Sequence, residues 1–364
     1  MKRKTKVKQA PKRILTGAPL ATLLVGLASA AMAGEVVYVP LGSAGELLAI
    51  NGESDTVLDR FADLPNVHGL AATPDGKLLI AGSLAATTPE ERRLPEKPAG
   101  MSRSDHQAHH AKPASKAAQP SGSVSFVSIV RAADGSIVRR VEVPGAVHHT
   151  AVTPDGRYAV ATHPNGGGIS VIDLGTFELT ATLQTGPQPN YAVVSPDGKR
   201  VYVSNAGNNT ISEVDTDLWI VRRNFLAGAS PEHMALSHDG RRLYVANVVD
   251  GTVSEIATES GAITRTFEIG GILHGLDLSS NGRTLFVSAR ERNKLVAIGL
   301  HTGEMREASL APSPYHLTTV RGAGKLYVSS AEESKIWVVD QESLQVVKEI
   351  PIRGQGHQMV VVQR

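Results

Sequence analysis

No cysteine occurs among the 364 residues, which excludes disulfides, thiolate metal ligands and thiol nucleophiles together. Any metal site is confined to His, carboxylate, Met or water. Aromatic residues are scarce, at 4%, so stacking platforms for sugars or single-stranded nucleic acid are disfavoured. Charge of one sign is lacking as well: 37 Lys and Arg stand against 35 Asp and Glu, a net of +2. Seven of those cations lie before residue 14, and the first 33 residues hold no acid. From residue 34 onward 30 basic residues face 35 acidic ones, a net of −5. A mildly acidic chain has no electrostatic footprint for nucleic acid. No G-x-S-x-G nucleophile elbow is present. Gly166-Gly167-Gly168 leads into a strand pattern rather than a helix, so it is a hairpin connection and not a phosphate cradle.

The first segment has an organisation of its own. Lys2, Arg3, Lys4, Lys6, Lys8, Lys12 and Arg13 form a basic region, and an apolar run from about Ala18 to Ala30 follows. Ala31-Met32-Ala33 then offers a small-x-small cleavage site before Gly34. This is the pattern of a secretory signal peptide over residues 1–33. A retained anchor is the competing reading, against which the run is short and rich in small residues. The expectation is export to a bacterial periplasm, with residues 34–364 as the mature chain and no membrane insertion after processing.

The rest of the chain keeps a beat. Asp155-Gly156, Asp197-Gly198, Asp239-Gly240 and Asn281-Gly282 recur every 42 residues. Between consecutive turns lie four short alternating strands. In one period these are Tyr191–Ser195, Arg200–Asn205, Thr210–Asp215 and the stretch from Trp219 toward Gly228. A period near 40 residues built from four strands is the signature of a β-propeller blade. First strands begin near His68, His148, Asn190, Glu232, His274 and His316, giving six complete blades. Glu35–Pro40, Glu46–Ile50 and Thr56–Phe61 lack a first strand, and Gly356–Val362 lacks successors. Joining them completes a seventh blade and removes the sheet edges of an open array. The expected fold is an all-β, seven-bladed propeller of four-stranded blades, with six or eight blades as the alternatives. One period is broken: Asp75 to Asp155 spans 80 residues. The excess falls at about 83–121, between the second and third strands of the first complete blade. Its Pro, Ala, Ser and Lys content gives little to pack, and a flexible excursion is expected.

The motif Val201-Tyr202-Val203-Ser204-Asn205 returns as Leu243-Tyr244-Val245-Ala246-Asn247, with weaker copies at Leu285–Ser288 and Leu326–Ser329. With the turns at Thr73–Lys77, Thr153–Arg157 and Ser195–Lys199, these residues resemble the YVTN family of bacterial propeller repeats. The resemblance covers nearly all of residues 34–364. It implies the fold and leaves function open, because one fold hosts many sites.

Seven residues before the Asp-Gly turns the chain places His68, His148, Asn190, Glu232, His274 and His316, with His357 one residue early in the closing blade. His149 and His233 sit one residue out of step. First strands line the central channel of a propeller, so these positions meet at one mouth. Alternation in a regular strand would send His148 and His149 opposite ways, unless the backbone there is irregular. For any single His the plainer reading is a hydrogen-bonded channel residue. For the set, neutral imidazole is the commonest metal ligand and three or four donors hold zinc. His148, His149 and His233 come from near-neighbouring blades, with Glu232 as a carboxylate ligand or orienting group; His68, His274, His316 and His357 lie further round. An asymmetric cluster holding one ion is the expectation. A second candidate site is Asp105, His106, His109 and His110 in the insertion, suited to capture rather than catalysis. His163, His238 and His301 are expected to be surface turn residues.

Three functions compete. An exported propeller with a His-containing insertion and His at its mouth resembles the periplasmic zinc chaperones of the AztD type. That resemblance implies zinc as cargo and the solute-binding protein of a metal transporter as recipient. A His-ringed propeller also resembles nitrous oxide reductase, which implies a copper cluster and redox chemistry. Against that stands the second copper domain by which that enzyme takes up electrons, for which no cupredoxin-like segment is read here. The d1-haem propellers are a related option, with His candidates for an axial ligand and nothing that specifically selects haem. The third possibility is a metal-free interaction scaffold.

Overall fold

In the computed structural model, Met1, 34–88 and 122–363 are described. The compact unit that runs from Ala33 to Arg364 is the propeller. It consists of seven four-stranded antiparallel sheets. We number the blades 1 to 7, with inner strands Val67–Ala72, Thr150–Val152, Pro189–Val194, Pro231–Leu236, Leu273–Leu278, Pro314–Val320 and Val360–Gln363. Blade 7 combines that last strand with Glu35–Leu41, Glu46–Asn51 and Thr56–Phe61. Glu35 pairs with Gln363, Val36 with Val362 and Tyr38 with Val360, so the two ends of the propeller close the ring through a strand ladder, with Val362 also packed in the apolar cluster between blades 7 and 1. The closing strand starts at Val360, later than the Gly356 expected from the sequence. Gly356 makes a single bridge to Leu41, and the residues between leave the ladder.

The second and third strands of each blade lie between two neighbouring blades, so both of their faces are covered. Arg200–Asn205 and Thr210–Asp215 are therefore buried almost throughout. The outermost strands, such as Ile220–Leu226, alternate instead between exposed and covered positions. Seven apolar clusters fill the described part of the ring, one at each blade interface. Tyr38, Leu47 and Phe61 of blade 7, for example, pack on Leu70, Leu79 and Val130 of blade 1. Burial on this scale, at about 25 cal/mol per Å² of apolar surface, is what holds the blades side by side.

At one end of the channel the inner strands turn into their neighbours through the Asp-Gly motif. Ser195 Oγ donates to Asp197 Oδ1 at 2.6 Å, the Lys199 amide donates to the same oxygen at 3.0 Å, and Gly198 adopts φ 72°. The site lies at the opposite end. The insertion is rooted there too, since Ser83, the last residue of its incoming strand, pairs with Val67 beside His68. Asp105, His106, His109 and His110 lie outside the described residues, as do residues 2–33, the segment in which a signal peptide is expected.

Candidate metal centre

In five blades the inner strand loses its ladder where the ligand-type residue occurs. The register to the second strand breaks between Val67 and Gly69, Pro189 and Ala192, Pro231 and Met234, Leu273 and Leu276, and Pro314 and Leu317. A bulge frees two consecutive residues from strand alternation and re-aims their side chains. In blade 2 the strand begins only at Thr150, so His148 and His149 precede it in irregular backbone. Both rings therefore enter one cluster, with centroids 4.2 Å apart. The alternation expected of a regular strand does not operate there.

Hydroxyls on the second strands hold this geometry. Thr162 Oγ1 donates to the Asn190 carbonyl (2.9 Å), Ser204 Oγ to the Glu232 carbonyl (2.7 Å) and Ser329 Oγ to the Gly356 carbonyl (2.8 Å). Each bond ties one blade to the mouth segment of the next. Gly69 and Gly275 allow the same close approach. A Cβ on Gly69 would lie 2.8 Å from the His148 carbonyl oxygen, and one on Gly275 2.5 Å from that of Tyr315.

These devices bring together seven imidazoles, those of His68, His148, His149, His233, His274, His316 and His357, each between 0% and 4% exposed. His68 stacks between His148 (4.5 Å) and His357 (4.2 Å). His233, His274 and His316 are 4.5 to 4.8 Å from one another. Donor atoms lie within 4.8 Å of one another in three overlapping groups: His68, His316 and His357; His68, His148 and His149; and His149, His233 and His316. Glu232 is half-buried, with Oε2 3.7 Å from His274 Nδ1. Asn190 contributes its carbonyl, which receives His149 Nδ1 at 2.8 Å.

Hydrogen bonding and burial prepare these rings to ligate. A carbonyl oxygen only accepts, so the contacts from His149 Nδ1 to Asn190 and from His68 Nδ1 to the His148 carbonyl (2.9 Å) place the protons on Nδ1. Nε2 then carries the lone pair, the arrangement found behind most metal-bound histidines. Burial lowers His233 to about 3 and holds His316 well below 6.5, with His274, His233, His149 and His68 adding to the depression at His316. Neutral imidazoles are the ligating form. His274 Nε2 and His316 Nε2 are 3.3 Å apart. Two nitrogens bound at about 2.05 Å to one tetrahedral zinc are separated by about 3.3 Å, so this pair has the spacing of two ligands to one ion.

The sequence pattern did not reveal two aromatic walls. Tyr315 stacks on His274 at 4.0 Å, and Tyr191 sits 4.7 Å from both His149 and His233. Burial pushes the Tyr191 phenol up to about 12, so it is a neutral wall rather than an anionic ligand. Their signal was adjacency: each stands beside an in-register ligand position, where a bulge exposes both residues. The His163 expectation is corrected. It is 2% exposed, with Nδ1 on the Ala146 carbonyl (3.0 Å) and Nε2 on Ser170 Oγ (2.8 Å). It occupies the place that Asn205 and Asn247 hold in their blades, where a polar side chain ties the second strand to the third. His238 and His301 are exposed turn residues.

Three solved structures show how widely this scaffold is shared. A putative 6-phosphogluconolactonase from Bacteroides fragilis superposes with a TM-score of 0.71 at 16% identity, over 92% of this chain and 99% of its own. The periplasmic gluconolactonase of Pseudomonas aeruginosa gives 0.68 at 17%, over 90% and 99%. Hydrazine synthase from Kuenenia stuttgartiensis gives 0.66 at 17%, over 84% and 97%. At these identities the likeness is one of fold. Among curated proteins none matches the sequence. Residues 114–343 match the family model described as "Lactonase, 7-bladed beta-propeller". That match spans more than half of the sequence, and the chain belongs to the seven-bladed β-propeller lactonase family.

Proposed function

We propose that this propeller is a periplasmic metal-binding protein that holds zinc in the histidine chamber and passes it to the solute-binding protein of a metal transporter. The observation that carries the reading is the convergence of seven buried imidazoles at one end of the channel. Burying that many nitrogens is costly unless they are engaged. His163 shows a different use of a buried imidazole, with both nitrogens hydrogen bonded inside its own blade interface and, among the described residues, no second imidazole beside it. Zinc suits a site of imidazole and carboxylate, and a chain without cysteine has no thiolate to favour Cu(I). The basic and apolar leader supports export, as does the likeness to a periplasmic gluconolactonase. Asp105, His106, His109 and His110 would capture the ion, and their segment springs from the end of the propeller that holds the chamber.

Metal analysis of the untagged protein purified from periplasm tests this reading. Bound zinc is expected, with affinity far tighter than micromolar and lost in the triple variant His149→Ala/His233→Ala/His316→Ala. No bound metal and only micromolar affinity would overturn it, and a coloured multi-copper protein would favour redox chemistry instead. Deleting residues 104–112 is expected to slow transfer to an acceptor while leaving the chamber loaded.

Family membership favours a second reading, hydrolysis of a lactone. Water would add to the ester carbonyl, the ring C–O bond would break, and the departing alkoxide would take up the proton. Turnover of glucono-lactones that is insensitive to a chelator would support this reading, and loss of turnover on chelation would join it to the metal site.

A further inference from the structure

One tetrahedral ion takes four donors, yet seven imidazoles line the chamber. The rings of His68, His149 and His316 form an inner triangle, with centroids 5.3 to 5.7 Å apart. Each of these three belongs to two of the donor groups. Each edge of the triangle carries one further ring. His148 lies beside His68 and His149 at 4.5 and 4.2 Å, and His233 beside His149 and His316 at 4.9 and 4.8 Å. His357 lies beside His68 and His316 at 4.2 and 5.8 Å. His274 joins none of the groups; it flanks His316, with the two Nε2 atoms 3.3 Å apart. We infer that the three groups are alternative seats for one divalent ion, which moves between them through the rings they share.

Donor supply and spacing both argue for one ion at a time. The Nδ1 atoms of His68 and His149 lie on backbone carbonyls at 2.9 and 2.8 Å, so each ring offers Nε2 to one ion only. Donors within a seat are spread over as much as 4.8 Å, whereas two nitrogens on a tetrahedral zinc stand about 3.3 Å apart. Filling one seat therefore draws its two shared rings inward, away from the other seats. A second dication would also meet like charge at close range. Any two seats have one ring in common. Passage between them keeps that ring bound while its companions are exchanged, so the ion relocates without giving up all its protein ligands. Such a chamber binds through the sum of its seats, yet yields its ion by small steps to an acceptor at the mouth. A surplus of rings over donors is what this mode of holding requires.

This inference rests on the metal-binding reading and is tested separately from it. The parent for the test is the untagged full chain carrying Asp105→Ala, His106→Ala, His109→Ala and His110→Ala, so that only chamber metal is counted. Native mass spectrometry should find one Zn²⁺ per chain, and competition with a chelator gives its affinity. His148→Ala, His233→Ala and His357→Ala each remove the ring that only one seat uses. Each single variant should keep one ion with less than about tenfold loss of affinity, because two seats remain, while the triple variant should lose more than about a hundredfold. A single variant that loses as much as the triple would mean one fixed seat, and a triple variant as tight as the parent would mean that no seat needs these rings. Either result, or two chamber ions in the parent, overturns the inference and leaves the metal-binding reading intact. No bound ion in the parent would overturn both. The parent also answers by itself where a variant fails to fold. One equivalent of ¹¹³Cd²⁺ should give a resonance that moves and broadens on cooling as the seat populations change, and a sharp resonance at constant shift would overturn the three-seat arrangement.

Discussion

A buried imidazole has two nitrogens to satisfy, and at His163 both are hydrogen bonded within the blade interface. Burial lowers its pKa to about 4. In the unfolded chain it titrates near 6.5, so between those values only the unfolded state takes up the proton. Stability therefore falls as pH drops from about 6.5 to about 4, by roughly 1.4 kcal/mol per pH unit, and the loss is complete below that window. His163→Asn installs the residue that the neighbouring blades use, in which Asn205 Nδ2 donates to Ser212 Oγ at 2.9 Å. The smaller side chain leaves a void costing on the order of 1 kcal/mol at pH 7.5. At pH 5 the penalty removed is about 2 kcal/mol, so the variant is expected to become the more stable protein. Urea titrations of metal-free protein at both pH values check this, and parallel stability profiles would refute it. His233, at about 3, carries the same sign over a wider window. Protons therefore compete poorly for that ligand, and the chamber is expected to keep zinc at pH 5.5, where ordinary exposed histidines release it. Equilibrium dialysis at pH 7.5 and 5.5 would show an unchanged chamber occupancy.

At the scale of elements, the inner strand is a ladder interrupted on purpose. The 42-residue beat made the strands, the Asp-Gly turns and the in-register ligand positions legible in the sequence, because each is a matter of periodicity and turn chemistry. Irregular backbone at the mouth was only an open possibility at His148 and His149, and its recurrence in five other blades was not legible. A Ser or Thr within a repeated V-Y-V-S-N stretch reads as an ordinary strand residue, yet Thr162, Ser204 and Ser329 reach across to the next blade. His163 was misplaced for a related reason, since a His-Pro-Asn-Gly string reads as a surface turn while its first residue ends a buried strand. Gly69 and Gly275 put a magnitude on the bulge geometry. Neither position has room for a methyl group, because what it would meet is backbone rather than a movable side chain. Gly69→Ala and Gly275→Ala are each expected to cost about 1–3 kcal/mol by overpacking. Each should also weaken zinc binding, because the shift falls on the backbone that carries His148 and His149, or Tyr315 and His316. Chemical denaturation and zinc titration measure the two effects, and a stable variant with full affinity would show that the blades have slack at the mouth.

A propeller is a ring of near-identical units, and one of its seams lies where the two ends of the ring meet. Here that seam is the four-residue strand Val360–Gln363 against Glu35–Leu41. Immediately before it come His357, which enters the chamber, and Gln358, whose amide side chain bonds the Leu70 and Thr150 amides at 2.9 and 3.1 Å. The closing segment is thus tied to blades 1 and 2 through Gln358, and to the rest of blade 7 through its own ladder. An ion bound among these histidines, which blades 1, 2, 4, 5 and 6 and this segment supply, stabilises the closed ring over any opened form. At a free concentration a thousandfold above Kd the gain is about 4 kcal/mol. Zinc removal is therefore expected to lower the melting temperature and to speed amide exchange most at Val36 and Tyr38, whose partners are Val362 and Val360. His357→Ala should retain zinc while losing that local protection, because the ion no longer holds the segment. Hydrogen exchange with and without zinc on both proteins resolves this. Equal exchange at Val36 and Tyr38 in loaded and zinc-free parent protein would mean that the seam closes independently of the site.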